Sequence, residues 1–247
     1  MKYFANWKLN FNINESITLA QKYLDLRVPE GSEVTIIPSI FAIGQVQQVV
    51  ANRFKIFSQD ISVLNGKGSN TGEVTATILK ECGIQGSLLG HIERRVKLSE
   101  TSVQLNQKIR NCLEDNLEIV LVIGEFGKDQ FSLEEIFNFL KNEMTLLLKD
   151  LRPEQIEKIV FAYESSANIS SPLNLDVNVD YGELHQINDY IISMLRNDFN
   201  VSQTTLLYGG SVHAENIKQL KQVNNINGFL IGKASQDINQ MQIILDA

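Results

Sequence analysis

The feature that most constrains the fold of this chain is a regular alternation of short apolar runs with longer amphipathic stretches. The apolar runs, rich in β-branched residues, are Tyr3–Asn6, Val34–Pro38, Ile56–Gln59, Ser87–Gly90, Ile119–Gly124, Ile159–Glu164, Thr205–Gly209 and Phe229–Gly232. The amphipathic stretches are Glu15–Leu26, Gly44–Ala51, Val74–Cys82, Thr101–Asn116, Leu133–Leu148, Tyr181–Leu195, Ala214–Lys221 and Ile238–Leu245. Strict alternation of strands with helices predicts a parallel sheet with crossover helices.

Two architectures are compatible with this alternation. Eight strand–helix units that end in a helix favour a closed (β/α)8 barrel. A doubly wound open sheet is the alternative, but no G-x-G-x-x-G follows the first strand. The run from Ile119 to Ile123 is apolar throughout, which is typical of a strand buried on both faces. We therefore predict an α/β protein with a (β/α)8 barrel, formed by residues 1–247 as a single domain.

Composition argues against several classes of function. The net charge of −7 is unfavourable for a general nucleic-acid or anionic-membrane binder. No apolar run approaches the ~20 residues that span a bilayer, and the first residues do not resemble a signal peptide. Cys82 and Cys112 form no C-x-x-C motif, so we expect two buried structural thiols in a cytoplasmic protein.

The strand ends carry the polar residues that suggest chemistry. The carboxyl ends of the strands form the active-site rim of such barrels, which places Lys8, His91 and Glu164 on one rim. A carboxylate, an imidazole and a cation suit proton abstraction beside a carbonyl, with stabilisation of the resulting enediolate. Taken singly, these residues could be a surface lysine, a structural histidine and a helix-start carboxylate. Their joint position at strand ends favours a site.

The last two strands end in glycine-bearing turns, Gly209-Gly210-Ser211 and Gly232-Lys233. Glycine lets backbone N–H groups approach a phosphate closely, and phosphate sites after the seventh and eighth strands recur in this fold. Together with the three rim residues, these turns predict a phosphorylated aldose or ketose as the substrate.

Seven motifs along the whole chain resemble the triosephosphate isomerase family. They are Ala5-Asn6-Trp7-Lys8, Thr71-Gly72-Glu73, Gly90-His91-Ile92-Glu93-Arg94-Arg95, Ile123-Gly124-Glu125, Ala162-Tyr163-Glu164, Tyr208-Gly209-Gly210-Ser211-Val212 and Gly232-Lys233-Ala234-Ser235. The third motif is similar to the family's G-H-S-E-R-R with one change, and the sixth matches its Y-G-G-S-V.

This resemblance implies residue roles. Glu164 would be the base that moves a proton between C1 and C2 of a triose phosphate, and His91 the neutral electrophile at the carbonyl. Lys8 would lie near the phosphate and the oxyanion, and Asn6 would hold Lys8 and bind a substrate oxygen. Glu93 would be a partner of Lys8. Arg94 and Arg95 would be structural ion-pair members.

The resemblance also implies binding groups and assembly. The backbone N–H groups of Ser211, Gly232 and Lys233 would bind phosphate with a lid amide near Ser170. Gly209 and Gly210 would also be phosphate-binding residues, and Tyr208 would support them. No metal or organic cofactor is implied. A homodimer is expected, in which the loop Asn65–Glu73, with Thr71 at its tip, inserts beside the neighbour's active site.

Three departures from the family pattern bear on function. The lid segment Ser165–Pro172 lacks the family's P-V-W hinge, so we expect a less well defined closed state. Pro172 has no N–H at a position where the family lid donates a latch bond, a loss of about 0.5–1.5 kcal/mol. Ile92 replaces a serine and should crowd or dry the site beside His91. Lys233 replaces a glycine but keeps its backbone N–H.

Three functions therefore remain open at the level of sequence. The first is interconversion of dihydroxyacetone phosphate and glyceraldehyde 3-phosphate. The second is isomerisation of another short sugar phosphate, such as a tetrulose phosphate, in a pocket reshaped by the altered lid and Ile92. The third is a structural paralogue with impaired catalysis, which predicts erosion of the rim residues, whereas Lys8, His91 and Glu164 are all present.

Overall fold

In a computed structural model, which describes residues 1–127, 130–165 and 179–247, the strands close into a parallel barrel in sequence order. The strands are β1 (Lys2–Asn6), β2 (Glu33–Ile37), β3 (Lys55–Ser58), β4 (Gly86–Leu89), β5 (Glu118–Ile123), β6 (Ile159–Tyr163), β7 (Thr205–Tyr208) and β8 (Gly228–Ile231). β1 pairs with both β2 and β8, with Lys2 opposite Glu33 and Gly228. The predicted barrel is therefore confirmed and the open sheet is excluded.

Helices connect the strands on the outside of the barrel. They are α1 (Ile13–Tyr23), α2 (Ile43–Val50), α3 (Ala76–Glu81), α4 (Ile92–Leu98), α5 (Ser102–Glu114), α6 (Leu133–Leu147), α7 (Pro153–Ile156), α8 (Tyr181–Phe199), α9 (Ile217–Leu220) and α10 (Ile238–Asp246). The start of α6 illustrates the local code, since Ser132 and Glu135 form a reciprocal capping box. Within the described ranges, no helix is long and apolar enough to cross a membrane.

The strand and helix boundaries differ from the sequence prediction in a systematic way. Seven of the eight predicted apolar runs end one residue after the observed strand, because their last residue is no longer part of the sheet. Glu164, for example, follows β6 but still donates its backbone N–H to the carbonyl of Ile123 at 2.9 Å. Helix α4 was not predicted as an element, because its sequence is short and strongly charged.

Two apolar cores hold the barrel together, one on each side of the sheet. In β5, Val120 and Val122 point into the barrel, whereas Ile119, Leu121 and Ile123 point out toward the helices. Because successive side chains of a strand point to opposite faces, β5 contributes to both cores, which explains its uninterrupted apolar sequence. The predicted α6 stripe also packs inward, with Leu140, Met144, Leu147 and Leu148 all buried.

The prediction of two buried thiols is wrong for one cysteine. Cys112 lies on the inner face of α5 and is buried, whereas Cys82 directly follows α3 and is exposed. The helical pattern of the sequence extends to Cys82, which lies beyond the last turn of α3 that faces the core, so membership in the pattern did not imply burial.

Candidate active site

The three rim residues selected from the sequence lie together at the carboxyl ends of β1, β4 and β6. The Nε2 atom of His91 is 3.5 Å from Oε2 of Glu164, and Nζ of Lys8 is 2.8 Å from Oε1 of Glu93. His91 and Glu164 are buried, whereas the Lys8 side chain is 27% exposed. A solvent-reachable cation therefore lies beside a buried base and imidazole.

Lys8 has an unusual backbone conformation. Its φ of 53° lies in the left-handed region, which non-glycine residues rarely occupy outside functional or tightly constrained sites. Its N–H donates to Oδ1 of Asn6 at 3.1 Å, and its carbonyl accepts from Gln59 at 2.7 Å. Asn6, the last residue of β1, thus contacts the backbone of Lys8.

The position of His91 defines its tautomer. His91 is the N-cap of α4, and its Nδ1 atom accepts the backbone N–H of Glu93 at 3.3 Å. An accepting Nδ1 carries no proton, so the proton of the neutral ring is on Nε2. This N–H is directed to the side on which Glu164 lies. It is the donor that a developing oxyanion would need.

Glu164 is a desolvated carboxylate. Burial raises its pKa above the usual value for glutamate, and this effect outweighs the opposing influence of the His91 ring and of the Lys8 cation. The backbone N–H of Ile92 donates a hydrogen bond to the Glu164 carboxylate. The Oε2 atom of Glu164 has no hydrogen-bond partner in the described part of the chain. A buried carboxylate with an unpaired oxygen is an effective proton acceptor.

Glu93 is in the opposite electrostatic situation. Burial tends to raise its pKa, but the hydrogen bond and the charge of Lys8 outweigh burial and bring the pKa below the usual value. Glu93 therefore stays ionised and keeps Lys8 oriented at the rim.

Ile92 is buried, as expected of an apolar residue beside His91. Ile92 lines a narrow gap beside Glu164, together with Gly124 and the charged residues Arg95 and Glu143. The gap has no room for a water molecule.

The turns after β7 and β8 differ in what they offer to an anion. The backbone N–H of Gly209 donates to the carbonyl of Tyr163 at 2.8 Å. It is therefore not available to an anion, and the role of Gly209 is to leave room beside Glu164. A side chain there would come within 3.4 Å of Cβ of Glu164. Within the residues described here, the N–H groups of Gly232 and Lys233 have no backbone acceptor. Gly210 is buried in the same turn.

Two hydroxyl groups of the seventh-strand turn are buried without partners. The Oη atom of Tyr208 and the Oγ atom of Ser211 have no hydrogen-bond partner in the described ranges. Buried polar groups are usually satisfied, so such a pair marks a place where a further segment or ligand is expected. Ser170 and the remainder of the lid from residue 166 to Pro172 lie outside the described residues.

Sequence reasoning assigned no role in the site to two residues that support it, Gln59 and Glu125. Gln59 follows β3 and donates to the carbonyls of Lys8 and Ile37, at 2.7 and 3.3 Å. Glu125 is 1% exposed, accepts the hydroxyl of Tyr163 at 3.0 Å and is hydrogen-bonded to Ser165. The rule that polar residues after a barrel strand belong to the site would have identified both.

The two family arginines form ion pairs. Arg94 lies 2.8 Å from Asp60 and 3.2 Å from Glu100. Arg95 pairs with Glu143 at 2.5 Å. Among the described residues, no cluster of His, Cys, Asp and Glu is arranged to hold a metal ion.

Comparison with known proteins agrees with this geometry. The family model for triosephosphate isomerase matches residues 2–247. The triosephosphate isomerase of Mycoplasma genitalium is 32% identical over 95% of this chain and 93% of its own length. Those of Mycoplasma pneumoniae and Thermodesulfovibrio yellowstonii are 31% and 30% identical, over 97% and 94% of this chain and 95% and 93% of their own lengths. The chain therefore belongs to the triosephosphate isomerase family.

Proposed function

We propose that this protein interconverts dihydroxyacetone phosphate and D-glyceraldehyde 3-phosphate, the reaction of glycolysis and gluconeogenesis that gives its family its name. The observation that carries the proposal is the 3.5 Å separation of His91 Nε2 and Glu164 Oε2 in a buried site. A base and a neutral N–H donor at this distance can act on adjacent atoms of one small substrate.

The reaction requires one proton to move between two carbons. Glu164 removes a proton from the carbon next to the carbonyl, and the electron pair passes to the carbonyl oxygen. The Nε2 proton of His91 and the charge of Lys8 stabilise that oxyanion, and His91 exchanges protons between the two substrate oxygens. Glu164 then returns its proton to the neighbouring carbon. No electron or proton is gained or lost overall.

The phosphate would bind at the turn after β8. The backbone N–H groups of Gly232 and Lys233, which have no backbone acceptor among the described residues, support this placement. Lys8 lies close to the same turn, because a side chain added at Gly232 would be 3.5 Å from Cε of Lys8. One cation can therefore serve both the phosphate and the oxyanion. Ser170 would add a further lid amide. Tyr208 and Ser211 would hold the closed lid through their hydroxyls, which have no partner among the described residues.

The second candidate, an isomerase of another short sugar phosphate, is supported by Ile92. This side chain occupies space beside His91 that a serine would leave larger and wetter. A third possibility, an impaired paralogue, conflicts with the arrangement of His91, Glu164 and Lys8. We place the protein in the cytoplasm, where a glycolytic reaction takes place.

We further propose a homodimer. Leu9 and Leu98, which are 76% and 64% exposed, line the same cavity, and Phe41, which is 73% exposed, follows Ile40, another residue of the lining. A group of exposed large apolar side chains is typical of an interaction surface. The cavity has a volume of about 430 Å³ and lies next to the active-site rim. The exposed loop Asn65–Glu73 of a second copy is the expected occupant of this cavity. Sedimentation at twice the 27.8 kDa mass of the chain would support the dimer.

A coupled assay with glyceraldehyde 3-phosphate tests the activity. The control is Glu164→Gln, which keeps the volume of the base but cannot accept the proton. Turnover at least a hundredfold above this variant supports the proposal. Turnover equal to the variant would refute it, and turnover on a tetrulose phosphate alone would establish the second candidate instead.

A further inference from the structure

One buried ion pair near the site takes no part in the proposed chemistry. Arg95 and Glu143 have side chains only 6% and 3% exposed, and they pair at 2.5 Å. Arg95 also donates to Oγ of Ser102 at 2.9 Å, and its guanidinium lies 5.0 Å from the ring centroid of Phe126. The arginine head is thus fixed from three directions.

Arg95 is tied to the histidine. It lies one turn into α4, whose N-cap is His91, and its backbone N–H reaches the carbonyl of His91 at 3.4 Å. A short helix moves as a unit, so the position of the Arg95 guanidinium and the position of the imidazole are coupled.

Glu143 is tied to the base. Its Oε2 atom accepts the backbone N–H of Gly124 at 3.3 Å, at the end of β5. Gly124 packs directly on the backbone of Glu164, since a side chain at Gly124 would lie 2.0 Å from the carbonyl oxygen of Glu164. A shift of Gly124 would therefore shift Glu164.

These contacts form a continuous path from the imidazole to the base through two elements that are distant in sequence. We infer that Arg95 and Glu143 are positioning residues that set the separation of His91 and Glu164, through α4 on one side and Gly124 on the other. Buried ion pairs contribute little net stability compared with apolar pairs of similar size, but their hydrogen bonds define distance and direction, which apolar contacts do not. The catalytic part of this inference rests on the proposed isomerase activity.

A matched pair of double variants tests the inference. Arg95→Met with Glu143→Gln removes both charges but keeps an acceptor for the N–H of Gly124. Arg95→Met with Glu143→Leu removes the charges and the acceptor as well. Neither variant leaves an unpaired buried ion, which would itself strongly destabilise the protein. The two differ only in whether Gly124 is held.

We expect kcat of the leucine variant to be at least tenfold lower than that of the glutamine variant, with KM changed less than twofold. A second readout needs no activity. The chain has three histidines, so the ring signals of His91 can be resolved by NMR, with His185 and His213 as internal references. The His91 signal should differ between the two variants, because Glu164 moves with Gly124 and lies 3.5 Å from the imidazole, while the signals of His185 and His213 should not change.

Equal kcat and equal His91 signals in the two folded variants would overturn the inference. If the wild-type protein fails to turn over any substrate but the His91 signal moves, the proposed function is wrong and the positioning path stands. Loss of kcat with an unmoved His91 signal would contradict the path.

Two further variants separate positioning from stability. Leu147→Ala weakens the same helix, α6, through a fully buried side chain outside the path, and should lower the melting temperature without changing kcat or the His91 signal. Ser102→Ala removes only one hydrogen bond of Arg95 and should fold, so it is decisive if both double variants unfold. We expect it to shift the His91 signal and to lower kcat twofold to fivefold; no change in either would overturn the inference.

Discussion

The contact between Gly124 and the base leads to a sharp prediction for Gly124→Ala. The new Cβ would lie 2.0 Å from the carbonyl oxygen and 2.8 Å from the carbonyl carbon of Glu164. Contacts below 3.0 Å essentially do not occur for a real Cβ atom. Relief therefore requires a displacement of about 1 Å, and the close-packed interior passes it to the backbone of Glu164. The φ of 151° at Gly124 adds strain for any other residue.

The size of the kinetic effect follows from this displacement. A 1 Å misplacement of a catalytic group costs about a hundredfold in rate, or about 2.7 kcal/mol of activation free energy. We therefore expect kcat of Gly124→Ala to fall about a hundredfold, with an overpacking cost of about 1–3 kcal/mol in stability. The assay couples dihydroxyacetone phosphate formation to NADH oxidation, with the folded fraction measured by circular dichroism.

Gly228→Ala is the matched control. Its Cβ would lie 1.9 Å from the carbonyl oxygen of Lys2, so the overlap is as severe. Gly228 begins β8, however, at the end of the barrel opposite the rim. We expect a similar loss of stability and an unchanged kcat per folded molecule. A folded Gly124→Ala protein with kcat within threefold of wild type, or an equal loss in both variants, would refute the reasoning.

Three further predictions concern the base, the cation and the interface. Because burial raises the pKa of Glu164, the stability contributed by its carboxyl is complete below the unfolded value of 4.5 and is lost as the pH rises through the folded pKa. Glu164→Gln should thus increase the free energy of unfolding in urea at pH 7 but not at pH 4. If the variant differs from the wild type by the same amount at both pH values, the pKa of Glu164 is not raised. Lys8→Met should lower kcat/KM about tenfold to a hundredfold, because the variant loses a hydrogen bond to a charged group. Lys233→Met keeps its backbone N–H and should lower kcat/KM less than about fivefold. Phe41→Asp should convert the dimer to a monomer at micromolar concentration in sedimentation, whereas a charge at the exposed Ile243 of α10 should not.

The barrel and the rim residues were predictable because the signals that specify them are local. Each strand is a short apolar run, and each helix has its own period, so eight alternating units can be counted without knowledge of contacts. The first polar residues after parallel strands necessarily meet at one edge. Lys8, His91 and Glu164 could therefore be selected before any distance was known.

The details that make these residues a site depend on contacts between distant segments. The 3.5 Å separation of His91 and Glu164 depends on how β4 and β6 are staggered around a closed barrel. The donation of the Gly209 N–H to Tyr163 removes one expected donor, and only the pairing of β7 with β6 decides this.

The sequence by itself thus determined which strand ends carry chemistry and which family the motifs resemble. Tertiary structure alone decided which atoms face one another. Gly124 shows the physical reason: its neighbours along the chain say nothing of Glu164, forty residues away, on whose carbonyl it packs. Local periodicity specifies elements, but barrel closure specifies distances, and catalysis depends on distances.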